Sequence, residues 1–105
     1  MIVTFEKDYL RDLYETGKTA DKKNRFQPEI VRKYKLCIDL MSRVPDIYAL
    51  KKYSGLNYES LQGDKHGISS IRVNLQYRIE FTVTYNGVEP VVTVCNVLEL
   101  SNHYK

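Results

Sequence analysis

Near the middle of this 105-residue chain the apolar residues change their spacing, from the three-and-four interval of a helix to strict alternation. Tyr9, Leu10, Leu13 and Tyr14 repeat at helical spacing between about Lys7 and Thr16, and Gly17 stands where a left-handed residue ends a helix. From Pro28 to Arg43 a second stripe runs through Ile30, Val31, Tyr34, Cys37, Ile38 and Met41. Pro28 suits a first helical turn, and Glu29 suits its positive end. Past residue 68 the pattern differs. Ile71 and Val73 alternate with Ser70, Arg72 and Asn74, while Ile79, Phe81 and Val83 alternate with Arg78, Glu80, Thr82 and Thr84. The two periods cannot be buried by one kind of element. The chain is therefore expected to be α+β, with two N-terminal helices packed on a small twisted antiparallel sheet.

The remaining segments fill in this plan. Met1 to Phe5 reads as a short strand, with β-branched Ile2, Val3 and Thr4 ahead of Phe5. Lys18 to Asn24 is a polar, basic connector, and Asp46 to Lys52 adds one short turn after Pro45, closed by Gly55. Ser69–Asn74 and Tyr77–Tyr85 are expected to be hairpin partners. Pairing Val73 with Ile79 leaves a three-residue connection and sets Arg72 across from Glu80, with Arg78 across from Asn74. Asn86-Gly87 is the strongest hairpin signal. It leads into Val91–Leu98, apolar enough for a central strand, with Pro90 predicting irregular pairing just after the turn.

The length suits one domain spanning residues 1–105, with no internal repeat and no linker-like stretch. The formal charge of +3 is unevenly spread: residues 1–53 hold 12 Lys and Arg against 8 Asp and Glu, and residues 54–105 hold 4 against 5. That balance is compatible with phosphate backbones without requiring them. Cys37 and Cys95 lack the spacing of a zinc or redox motif and read as small buried hydrophobes, which points to the cytoplasm. Glu6, Lys7 and Asp8 interrupt the opening apolar run before it can serve as a signal peptide or membrane span.

The run Leu61 to Phe81, LQGDKHGISSIRVNLQYRIEF, resembles the hallmark stretch of HigB-type toxins of the RelE/ParE superfamily, roughly L-x-G-x-x-x-G-x-x-S-I-R-V-N-x-Q-[WY]-R-I-x-F. The opening strand with Phe5, the Thr16-Gly17-Lys18 turn and the closing Asn102-His103 pair are similar as well. The resemblance implies a RelE-like fold and ribosome-dependent, metal-independent cleavage of translated mRNA. It also implies inhibition by a HigA-type antitoxin that carries a helix-turn-helix domain, and no cofactor. The chemistry would be attack of a 2′-hydroxyl on its neighbouring phosphate, which calls for a base, cations and an acid.

On this resemblance Arg78 matches the arginine that faces the scissile phosphate, and Arg72 stands second. The family often ends in Asp-Tyr-His, where this chain has Ser101, Asn102 and His103, so only the histidine is retained. Where some relatives carry a histidine and a lysine before the Gly-Asp loop, this chain has Glu59 and Gln62, and Glu59 is the candidate replacement base. Lys65, Tyr104 and Lys105 are candidate RNA contacts.

Plainer readings stand beside these. Arg72 can simply pair with Glu80, His103 can belong to an inert terminus, and His66 reads as a surface loop residue. Tyr77 should point inward with Ile79. Lys18, Lys22, Lys23 and Arg25 suit ribosomal RNA or a solvated loop equally. Two other functions fit the same chain: a ParE-like inhibitor of DNA gyrase without nuclease chemistry, and a catalytically decayed relative that only binds antitoxin or ribosome.

Overall fold

The computed structural model describes residues 1–88 and 90–102. In chain order it contains β1 (Ile2–Phe5), α1 (Asp8–Thr16), α2 (Pro28–Arg43), α3 (Ile47–Lys51), β2 (Glu59–Ser60), β3 (Ser69–Arg72), β4 (Tyr77–Asn86) and β5 (Val92–Asn102). The five strands form one sheet in the order β1-β5-β4-β3-β2.

Both long helices end where the sequence says they should. Gly17 takes φ 77° and its N–H reaches the Leu13 carbonyl at 3.1 Å, so α1 stops in a left-handed residue that glycine adopts without steric cost. Pro28 opens α2 at a position where a missing N–H costs nothing. The stripe from Ile30 to Met41 is buried along α2, and the Tyr34 hydroxyl donates to the Leu10 carbonyl at 2.7 Å, which ties α2 to α1. The short α3 follows Pro45. Asp46 caps it by accepting the Ala49 N–H at 2.9 Å, and Leu50 anchors it in the core.

One apolar cluster joins the helices to a single face of the sheet. Leu10, Leu13, Ile38 and Met41 meet Ile71, Ile79, Phe81, Cys95, Val97 and Leu100 there. Tyr77 points inward as expected, with its ring edge-on to Phe26 at 5.4 Å. The α+β expectation holds, with one addition: β1 pairs parallel to β5, so the sheet is mixed. The three successive antiparallel strands β2 to β4 bring the chain to the end of the sheet where β1 began, so β5 runs parallel to β1.

The expected register of the β3–β4 hairpin needs correction. Ile79 pairs with Ile71 rather than Val73, so Arg72 faces Arg78 and Glu80 faces Ser70. The cause is the turn. The Asn74 side-chain oxygen accepts the N–H groups of Gln76 and Tyr77 at 2.8 and 2.7 Å, and this folded loop occupies residues 73–76. A shift of two residues leaves every side chain on its expected face. The second hairpin likewise has a longer connection than Asn86-Gly87 alone suggests, since Asn86 already pairs with Val92. A bulge at Leu98 then places Glu80 beside Glu99 and Phe81 beside Val97, which keeps Leu100 in the core.

Candidate functional site

The face of the sheet turned away from α1 and α2 carries the polar half of each alternating strand, and cross-strand pairing arranges these residues in two ranks. Residues paired across neighbouring strands share a face. One rank is therefore Glu59, Ser70, Glu80 and Glu99, crossing β2, β3, β4 and β5. The next is Arg72, Arg78 and Ser101.

Arg78 is the centre of this arrangement. Its side chain is only 8% exposed, yet it carries a permanent charge, and burying such a group is costly unless acceptors surround it. They do. Nε donates to Ser70 Oγ at 2.8 Å, and Nη2 donates to the Asn57 carbonyl at 2.6 Å and the Ser70 carbonyl at 3.3 Å. The Glu59 carboxylate stands 4.0 Å from Nη2 and is itself 45% exposed. Arg78 is thus held in one orientation by fixed dipoles, with a carboxylate near Nη2, the nitrogen that also meets the two carbonyls.

Asn57 and Ser70 hold Arg78 in the candidate site, and reading the sequence missed both. Asn57 is the one non-glycine residue with positive φ among those described, at 45°, and that turn aims its carbonyl at the guanidinium. Asparagine tolerates this region better than most residues, and the Gly55-Leu56-Asn57 sequence is a local hint of it. Ser70 was legible only as an outward position of β3. Its burial follows from the arginine lying across it.

Arg72 does not form the expected pair with Glu80. It sits directly opposite Arg78, half-buried, and its Nε is buried without a hydrogen-bond partner among the described residues. Two like charges set opposite each other destabilise a hairpin, so this pair breaks a local rule in a way that functional sites do. Glu80 is instead held by Lys65, whose Nζ donates to both carboxylate oxygens at 3.1 and 2.8 Å. Lys65 is thereby brought to the site's edge as half of an ion pair. Glu99, at the end of the same rank, accepts from Lys7 Nζ at 2.7 Å and from the Tyr9 hydroxyl. Partial burial alone would raise its pKa, but the bonds from Lys7 and Tyr9 and the charges of Lys7 and Lys65 outweigh that and hold it below the usual carboxylate range.

The structure thus brings together Arg78, Arg72, Glu59 and Lys65. His103, Tyr104 and Lys105 lie outside the described residues. Lys18, Lys22, Lys23 and Arg25 belong to the connector between α1 and α2. Asp21 shapes this segment by accepting the Lys23 N–H at 3.0 Å. Among the described residues no group of three or more His, Cys, Asp or Glu is placed to hold a metal ion. No helix among them is long and apolar enough to cross a membrane.

Comparisons with known proteins follow the same lines. Residues 3–93 match the family model of the HigB-like toxin, described as the RelE-like toxin of the type II toxin–antitoxin system HigB. Among solved structures, the chain is similar to a YoeB/ParE toxin from Agrobacterium tumefaciens at 20% identity and a TM-score of 0.54, covering 99% of this chain and 100% of that one. It is also similar to a chain of the heterotetrameric YoeB–YefM toxin–antitoxin complex from Staphylococcus aureus, at 18% identity and a TM-score of 0.51, covering 99% of this chain and 98% of that one. At such identities the likeness speaks for the fold. No curated protein matches the chain.

Proposed function

This chain belongs to the HigB family of RelE-like toxins of type II toxin–antitoxin systems, and from that premise we propose that it is an endoribonuclease that cuts translated mRNA on the ribosome. The observation that carries the reading is the pre-set Arg78, buried and aligned by Ser70 and Asn57, with the half-exposed Glu59 carboxylate beside its Nη2 on a sheet face free of the two long helices. Such a group can stabilise the added negative charge of a five-coordinate phosphate without reorganising as the charge develops.

The proposed reaction uses the RNA's own 2′-hydroxyl. Glu59 takes its proton, and the oxygen attacks the adjacent phosphorus. Arg78, with Arg72 beside it, faces the phosphate oxygens. The 5′-oxygen of the next nucleotide departs with a proton from His103, which leaves a cyclic phosphate on the upstream fragment. Arg72 suits its part by its place directly opposite Arg78, which sets a second positive charge beside the first. Lys65, Tyr104 and Lys105 are proposed to contact the RNA around the cut, and no metal or cofactor enters this scheme. The proposed inhibitor is a HigA-type antitoxin with a helix-turn-helix domain.

The test is to express the chain in a translating extract and map mRNA 5′ ends with and without ribosomes. Cuts that require ribosomes and vanish with Glu59→Gln support the reading. Intact mRNA with blocked DNA supercoiling would replace it with gyrase inhibition, and intact mRNA with neither effect would indicate a binding protein alone.

A further inference from the structure

Beside the candidate site, along the edge strand β2, lies a cavity of about 490 Å³ to which the cleavage chemistry assigns no role. Its walls are Lys51, Tyr53, Ser54, Asn57, Tyr58 and Ser60. We propose that this cavity is a nucleotide subsite, in which the base next to the scissile phosphate stacks on Tyr53 while Lys51 meets the flanking phosphate. The proposal rests on the cleavage reading for its place along the RNA, and on the cavity's own chemistry for what it binds.

Three observations support it. The first is continuity. Tyr58 and Ser60 flank Glu59 in sequence and line the cavity, while Asn57 lines it and holds Arg78 through its carbonyl. Alternation sends Glu59 to one face of β2 and its two neighbours to the other. Because β2 is the edge strand of the sheet, a polynucleotide passing Glu59 can turn over this edge into the cavity.

The second is rigidity of the wall. The Tyr58 hydroxyl shares a hydrogen bond with Ser69 Oγ at 2.7 Å, and its ring meets Phe81 edge-on at 6.2 Å. Lys51 Nζ lies 5.0 Å from the centre of that ring, a cation–π contact that holds the ammonium at the cavity's margin. The third is the ring left open. Tyr53 lines the cavity and is 48% exposed, so part of its ring is within reach of a base there. Aromatic faces and a nearby cation are what single-stranded RNA uses, since every base has a π-face and every linkage a charge. The cavity also falls within the range of small-ligand sites, and Ser54, Asn57 and Ser60 supply polar groups at its rim.

The experiment uses the full chain with a short single-stranded RNA carrying 2-aminopurine, whose fluorescence is quenched by stacking, together with kcat/KM on translated mRNA. Wild type should quench the probe, Tyr53→Phe should match it, and Tyr53→Ala should lose the quench. In the same variant kcat/KM should fall by roughly 5- to 150-fold, mainly through KM, as expected for one lost stacked base. Lys51→Ala should flatten the slope of log affinity against log salt by about 0.7, the share of one single-strand phosphate. No quench in wild type, or a Tyr53→Ala variant equal to wild type in both measurements, overturns the subsite. A wild type that quenches through Tyr53 but cuts nothing on ribosomes removes the nuclease reading and leaves the subsite standing.

Discussion

A single guanidinium ties stability to the proposed function in this protein. Because Arg78 Nε has Ser70 Oγ as its acceptor in a buried place, Ser70→Ala leaves a charged donor unsatisfied. Hydrogen bonds to charged groups are worth about 1.5–3 kcal/mol, and urea titration of Ser70→Ala should show a loss of that size. Cleavage should fall with it, and Ser70→Thr, which keeps the hydroxyl and suits a strand, should restore both. Glu59 behaves differently. Its contact with Arg78 is long and half-exposed, so Glu59→Gln should leave the urea midpoint where it was. Loss of a general base should nevertheless lower the cleavage rate by about 10²- to 10⁴-fold. An unchanged rate would assign the proton transfer to another residue.

At the scale of elements, periodicity and punctuation were enough to read most of the fold. Gly17 and Pro28 bound the helices as expected, and the Ile79–Phe81–Val83 face is the buried one of β4 from Ile79 to Phe81. What the sequence left open was pairing. The parallel docking of β1, the two-residue shift of the β3–β4 hairpin and the bulge at Leu98 all depend on contacts between distant segments or on loop geometry. Arg72 and Arg78 could be assigned to one face, because a shift of two preserves faces, but not to opposed positions. The burial of Arg78 was hidden as well, since its acceptors come from Asn57 on a turn 21 residues upstream and from Ser70 on the paired strand. If the Asn74 turn sets that register, Asn74→Ala should have two effects. Losing its two hydrogen bonds should cost about 1–3 kcal/mol in urea titration. It should also weaken cleavage beyond any fraction unfolded, because the opposed arginines lose their alignment. A variant that is destabilised but fully active per folded molecule would separate the turn from the site.

For the whole molecule, titratable groups at both ends of the pH range set the limits of stability. At the acid end the group is Glu99, which joins β5 to Lys7 and Tyr9 ahead of and within α1. Its folded pKa is depressed, so its contribution is fully present above the unfolded value and disappears as pH falls through the folded one. At the alkaline end the sign reverses. Burial pushes the Cys37 and Cys95 thiols up from 9.0 to about 11, so the neutral thiols favour the folded state fully below pH 9, and that advantage is lost as pH rises toward 11. Burial raises the Tyr34 phenol too, and burial with the Glu99 hydrogen bond raises that of Tyr9, which extends the same loss. Stability measured by urea titration should therefore be flat from about pH 5 to 9 and fall on both sides. Glu99→Gln should lower the plateau and flatten the acid limb, and it should also ease the part of the alkaline limb that Tyr9 sets, because the phenol loses the carboxylate beside it. The paired Cys37→Ser and Cys95→Ser substitutions should flatten only the alkaline limb, though each adds a buried hydroxyl and lowers the plateau as well. An acid limb as steep in Glu99→Gln as in wild type would show that the strand-to-helix carboxylate does not govern acid unfolding.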